Sequence, residues 1–187
     1  MKMLNNKFVA DLMGVYISAA FCVYNWSLII FFWYLPSFLL QWTATEILSY
    51  LGYQMVFAMI ESLGMTACIA LLALVLPARF LRNNLRTSGT ALVAAFAVNC
   101  LLYFAPRGNI NAFLAGILSM DKMLVGSYYL DIWEICLILL PIGFVMSTKS
   151  ERIKQALNRF TDNASVLVAL DTILSLLGVL IIIYRNI

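Results

Sequence analysis

Histidine is absent from the 187 residues of the chain, and charged side chains make up only 11% of them. The first absence removes His-ligated haem, His-bearing zinc sites, Ser-His and Cys-His nucleophile pairs and any histidine pH switch. The second removes a water-soluble fold. Twelve Lys+Arg and 9 Asp+Glu cannot cover a globule in which 64% of residues are hydrophobic and the mean hydropathy is +0.94. Cysteine in metal or redox spacing is also lacking: Cys22, Cys68, Cys100 and Cys136 sit in separate apolar stretches with no C-x-x-C pair. That excludes zinc ribbons, iron–sulfur clusters and thioredoxin-type chemistry and leaves small apolar packing residues. No metal or cofactor is therefore expected. Nucleic acid is not expected either, because the net charge is only +3 and the basic residues flank apolar runs, which is a membrane-orientation pattern.

A cleavable leader is not expected. Lys2 and Lys7 could form its basic start, but the apolar stretch continues from Phe8 to about Leu35 and no A-x-A site follows it. Asn25-Trp26-Ser27 fits a glycosylation sequon but falls in the middle of this stretch, out of reach of modification.

What the chain has instead is length of apolar run. Crossing ~30 Å of hydrocarbon takes about 20 helical residues. Five stretches meet that need: about Leu12–Tyr34, ending before Pro36; Tyr50–Leu76, closed by Pro77; Leu85–Phe104, stopped by Pro106; Leu124–Met146; and Asn163–Tyr184. Alternation at period two is weak, which argues against a barrel. The expected fold is all-α, a polytopic integral membrane bundle of five transmembrane helices plus a short amphipathic helix on the inner surface, forming one membrane domain over 1–187. No soluble domain, internal repeat or low-complexity tract interrupts it.

Basic residues set the expected orientation. With the amino terminus inside, the inner segments hold Lys2, Lys7, Arg79, Arg82, Arg86, Lys149, Arg152, Lys154 and Arg159, and the outer ones Arg107, Lys122 and Arg185, a split of 9 to 3. A sixth crossing would have to use the 11 residues Ile110–Met120 and would reduce the split to 7 to 5, so that segment reads as outer and interfacial. The carboxyl terminus is then outside, and the expected location is a cell (inner) membrane with a cytoplasmic amino terminus. Trp33, Tyr34, Trp42, Tyr50, Tyr53, Tyr103, Tyr128, Tyr129 and Tyr184 all fall near outer ends of spans and read as an aromatic belt, with an aromatic-lined vestibule as the functional alternative.

Two capping-box patterns add local detail. Thr43-x-x-Glu46 predicts that the second helix starts before its membrane run, and Thr148-x-x-Glu151 opens the amphipathic connector 148–162. There Ile153, Leu157 and Phe160 share a face, and Lys149, Arg152, Lys154 and Arg159 would reach anionic headgroups of the bilayer. Docking of a partner is the alternative use of that helix.

The chemically informative residues are acids within apolar runs: Glu61, Asp131, Glu134 and Asp171. A carboxylate at mid-bilayer costs ~2.5–3.5 kcal/mol on insertion scales. Glu61 lies 11 residues from Tyr50 and Asp171 lies 8 from Asn163, or ~16 Å and ~12 Å from opposite faces, so they stand close to one level. Each shares a stripe with small or polar residues: Gln54, Gly64 and Cys68 beside Glu61, and Ala164, Ser175 and Gly178 beside Asp171. Such stripes allow close approach of another helix, so both acids are expected to face protein. Asp11, Ser18, Cys22 and Asn25 add polarity to the first run, and Asn99 to the third. Three outcomes fit Glu61 and Asp171: neutral hydrogen-bonded acids, a cation or proton path, or pairing with Lys or Arg of another subunit. Asp131 and Glu134 stand three apart near an outer span end and read as a solvated carboxylate pair able to hold a hard cation or serve as acid and base.

The leading functional expectation is a non-catalytic integral membrane subunit, anchor or assembly partner of a larger membrane complex, with the bilayer and other membrane subunits as partners. The alternative is a small proton- or cation-coupled transporter or channel using its intramembrane carboxylates. An intramembrane acid-pair enzyme comes third, since signatures such as G-x-G-D are absent.

Overall fold

The computed structural model describes residues 2–77, 81–104, 139–143, 146 and 149–186, and no strand occurs among the described residues. Helix α1 spans Lys2–Gln41, α2 spans Ala44–Val75, a 3-10 turn covers Arg82–Asn84, α3 spans Leu85–Phe104 and α4 spans Glu151–Asn186. Three of these are long and apolar enough to be candidate membrane spans: Asn6–Gln41, Ala44–Val75 and Glu151–Tyr184. Most of the expected fourth span at 124–146, the whole of Ile110–Met120, and Thr148 lie outside the described residues.

Local chemistry explains the helix limits, including two that differ from expectation. Pro36 does not end α1, which runs through it to Gln41. Proline removes one N–H from the ladder, but a membrane helix tolerates this because the rest of its bonds stay internal. A tight α1–α2 turn follows, where Thr43 is extended (φ −73°, ψ 158°) and begins α2. Its backbone N–H and its hydroxyl both donate to Glu46 Oε2, each at 2.8 Å. The acid thus satisfies a donor that the helix start leaves open, and α2 begins before its apolar run, as the Thr43-x-x-Glu46 spacing predicts. The second difference is at α4. The expected connector and last span form one unbroken 36-residue helix, because neither Gly nor Pro stands between Glu151 and Leu177 to stop it. At 1.5 Å per residue, α4 is about 54 Å long and extends well past a ~30 Å core.

Packing places α1 at the centre. It contacts α2, α3 and α4, while α2 and α4 pack on each other and α3 touches α4. One core cluster joins Val15 and Ala19 of α1 to Ile69 and Ala73 of α2 and to Leu85 and Val93 of α3. A second joins Ala20 and Tyr24 to Met55, Ala58 and Val168. The buried side of α2 is Gly52, Met55, Ala58, Ser62, Thr66, Ile69 and Ala73, one stripe at spacings of three and four. Large apolar residues point the other way, among them Phe57, Leu71, Val75, Leu170, Leu176 and Leu180. Small and hydroxylated residues inside and leucine outside is the arrangement for helices surrounded by lipid, where close approach and hydrogen bonds, not apolar burial, hold helices together.

At the α1–α2 turn the rings are packed on one another. Phe38 stacks on Trp42 with centroids 4.4 Å apart, and Tyr50 meets Phe38 at 5.0 Å and Trp42 at 5.6 Å. Of the other rings expected near outer span ends, Trp33, Tyr34 and Tyr184 are exposed, and Tyr128 and Tyr129 lie outside the described residues.

Candidate functional site

Two buried polar nodes lie along α1. The first is in the amino-terminal half of α1, where α1, α3 and α4 meet. Ser18 Oγ lies 3.0 Å from Thr90 Oγ1 of α3 and 3.2 Å from Thr161 Oγ1 of α4, and all three residues are buried. Ser18 donates to Gly14 O and Thr161 to Leu157 O, each at 3.0 Å. Each hydroxyl has a single proton, so Thr90 donates to Ser18, and the Ser18–Thr161 contact shares a proton that one of the two also directs at its own helix's carbonyl. Beside this node Arg86 of α3 pairs with Asp162 of α4. Arg86 Nε and Asn158 Oδ1 are buried without hydrogen-bond partners among the described residues. The node ties three helices at one level and fixes their rotation.

The second node is nearer the middle of the bundle. Tyr24 Oη and Ser175 Oγ are 2.6 Å apart, and Ser175 Oγ also donates to Met55 O at 2.9 Å and Asp171 O at 3.0 Å. With the serine proton shared between two carbonyls, Tyr24 is the donor to Ser175. One turn away Gly52 and Gly178 bring α2 and α4 together, so closely that a Cβ on Gly178 would lie 2.5 Å from Gly52 O. On the other side of the seam Gln54 Nε2 donates to Ser27 O at 2.7 Å. Asp171 sits on this packed side of α4 with 9% of its surface exposed and lies within electrostatic reach of Tyr24. Among the described residues no group donates to its carboxylate. The Tyr24 proton that could do so is directed to Ser175.

Glu61 has the opposite surroundings. In the antiparallel α2–α4 seam Gly52 faces Gly178 and Met55 approaches Ser175, so one further turn brings Asp171 level with Ala58 and Met59. Glu61 is therefore within about one turn of the same level. Yet Glu61, Gly64 and Cys68 are all exposed, turned away from the buried stripe of α2. A Cβ placed on Gly64 would meet nothing within 4 Å. Among the described residues Glu61 has neither an ion pair nor a hydrogen bond.

The remaining sequence-predicted residues fall as follows. Asp131 and Glu134 lie outside the described residues. Lys149, Arg152 and Arg159 are exposed, and Lys154 is half-buried with its Nζ 3.6 Å from Glu151 Oε1. Phe160 packs edge-on against Phe21 of α1 at 5.1 Å, which anchors this basic end of α4 to the bundle. The Ser18–Thr90–Thr161 node and the Arg86–Asp162 pair were not singled out from sequence as contacts. Thr87-Ser88-Gly89-Thr90 and Thr161-Asp162 are visible as polar interruptions in apolar runs, but nothing in their spacing says which helices they join. Compared with known proteins, the chain matches no family model, no curated protein and no solved structure.

Proposed function

We propose that the protein is a non-catalytic integral membrane subunit, an anchor or assembly partner within a larger membrane complex. The observation that carries this reading is the outward position of Glu61. A carboxylate on the apolar exterior of a membrane helix has neither counter-charge nor hydrogen bond in lipid, and no Lys or Arg stands near the level of Glu61 on the described helices. A partner helix supplies what lipid cannot. The polar groups between the described helices support the same reading, since their hydroxyls bond mainly to one another and to backbone carbonyls. Purification in a gentle detergent is expected to yield the chain with a stoichiometric membrane partner. A lone monodisperse species would contradict the proposal.

Five crossings, a cytoplasmic amino terminus and an outer carboxyl terminus in a cell (inner) membrane complete the proposal, on the 9 to 3 split of basic residues. Reporter fusions after Arg86, after Arg107 and at Ile187 should read inside, outside and outside. An inside signal at Ile187 would exclude five spans. In this topology Lys149, Arg152, Lys154 and Arg159 stand at the inner surface, where anionic headgroups attract them.

A second reading, a proton- or cation-coupled carrier, draws on one observation: the buried Asp171 carboxylate has no donor among the described residues, although Tyr24 and Ser175 are near it. It predicts ion flux in liposomes that Asp171→Asn abolishes. Flux that survives the substitution removes this reading.

A further inference from the structure

We infer that the face of α2 formed by Glu61, Gly64 and Cys68 receives a transmembrane helix of another protein that carries a lysine or arginine at mid-span. This rests on the assembly reading above and gives it a site and a partner chemistry. Charge is the first argument. Glu61 is exposed near the level of Asp171, deep in a candidate span, and has no ion pair among the described residues. The described helices of a second copy would bring no cation to that level, because their basic residues lie well away from it along the chain. The chain's own 124–146 run contains no Lys or Arg at all. Arg107 and Lys122 belong to outer segments in the sequence reading, so the counter-charge is assigned to a different polypeptide.

Gly64 is the independent second argument. Glycine weakens a helix interior relative to alanine, and at the α2–α4 seam it is used where backbones touch, as Gly52 and Gly178 do. Gly64 has no such neighbour inside the bundle, yet it stands one turn from Glu61 on the same exposed face. A small residue there lets a second backbone come close enough for its base to reach the carboxylate without solvent. Cys68, one turn further, continues the notch. The flanking Phe57, Ile60, Leu63 and Leu71 are exposed and apolar, and they would border the incoming helix. Asp171 takes no part, since it lies on the packed side of α4.

Cys68 supplies the test. The full chain, with Cys22, Cys100 and Cys136 changed to Ala, is labelled at Cys68 with a photoactivatable thiol reagent in the membranes of its source, and the adducts are mapped by mass spectrometry. The expected adduct is an apolar span of another protein that contains a Lys or Arg. Its yield should fall by about tenfold or more in Glu61→Gln and in Gly64→Leu, since a buried cation would lose its partner or its access. Neither variant should unfold earlier than wild type in detergent, because Glu61 has no hydrogen bond or ion pair among the described residues and a Cβ at Gly64 would meet nothing within 4 Å. An adduct to residues 105–148 of the same chain, to a second copy or to lipid alone would overturn the inference, and so would a foreign adduct whose yield ignores both substitutions. The two proposals fail separately. A chain that runs alone in gentle detergent removes the assembly reading, whereas a native complex in which Cys68 meets only lipid removes the Glu61 face and leaves assembly by another surface.

Discussion

Asp171 and Glu61 are the same functional group at nearly the same level of one bundle, placed on opposite sides of its wall. Asp171 is on the α4 stripe Thr161, Ala164, Val168, Asp171, Ser175 and Gly178, every member of which is buried. Glu61 is on a face of α2 whose neighbours are open glycine, exposed cysteine and leucine. Inside, hydroxyl groups and close backbone contact make the local polarity tolerable. Outside, nothing within the described residues does. The difference separates polarity that holds the fold together from polarity that is directed at something beyond it.

The largest expected effect tests this division with one substitution at two glycines. Gly178→Leu should destabilise the isolated protein by about 3 kcal/mol, because a side chain there collides with the backbone of Gly52 and forces the seam apart. Gly64→Leu should not lower stability in mixed micelles, since a Cβ there meets nothing within 4 Å and leucine favours the helix over glycine. Equal losses at both positions would erase the distinction between the two faces.

Next in size is the three-helix node. Ser18→Ala removes the oxygen shared by Thr90 and Thr161 and leaves two buried hydroxyls with fewer partners, at a cost of about 1–2 kcal/mol. Denaturant unfolding followed by helix content is the measurement. No loss would mean that the node forms without contributing to the docking of α1, α3 and α4. The smallest effect belongs to Tyr24→Phe, which deletes one interhelical hydrogen bond worth about 0.6 kcal/mol in a membrane bundle. Ser175 retains its carbonyl acceptors Met55 and Asp171. A loss several times greater would indicate that Tyr24 also serves the Asp171 carboxylate.

How far the sequence could go is clear from α2 and α4. On α4 the stripe Ala164, Asp171, Ser175 and Gly178 is readable, because leucine and isoleucine crowd the other sides and leave one polar face. On α2 two small-residue stripes compete, Gly64 with Cys68 and Ser62 with Thr66, and the apolar residues run all the way round. A helix apolar on every side carries no amphipathic signal to choose between them. Only packing shows that Ser62 and Thr66 face inward and Glu61 does not. The start of α2 was legible because a capping box is local chemistry between residues three apart. The passage of α1 through Pro36 was not, since proline marks a helix end in water more firmly than it does where backbone groups have no competing solvent. Contacts such as Ser18 with Thr90 are 72 residues apart, beyond any periodicity argument.

The most direct measurement compares Glu61→Gln with Asp171→Asn, each scored for unfolding of the isolated chain and for apparent size in gently solubilised native membranes. Glu61→Gln is expected to leave unfolding at the wild-type midpoint and to shift the protein from a complex to a lone chain, while Asp171→Asn keeps the complex. A Glu61→Gln protein that unfolds early yet stays in its complex would contradict this expectation, by placing Glu61 among the groups that hold the fold.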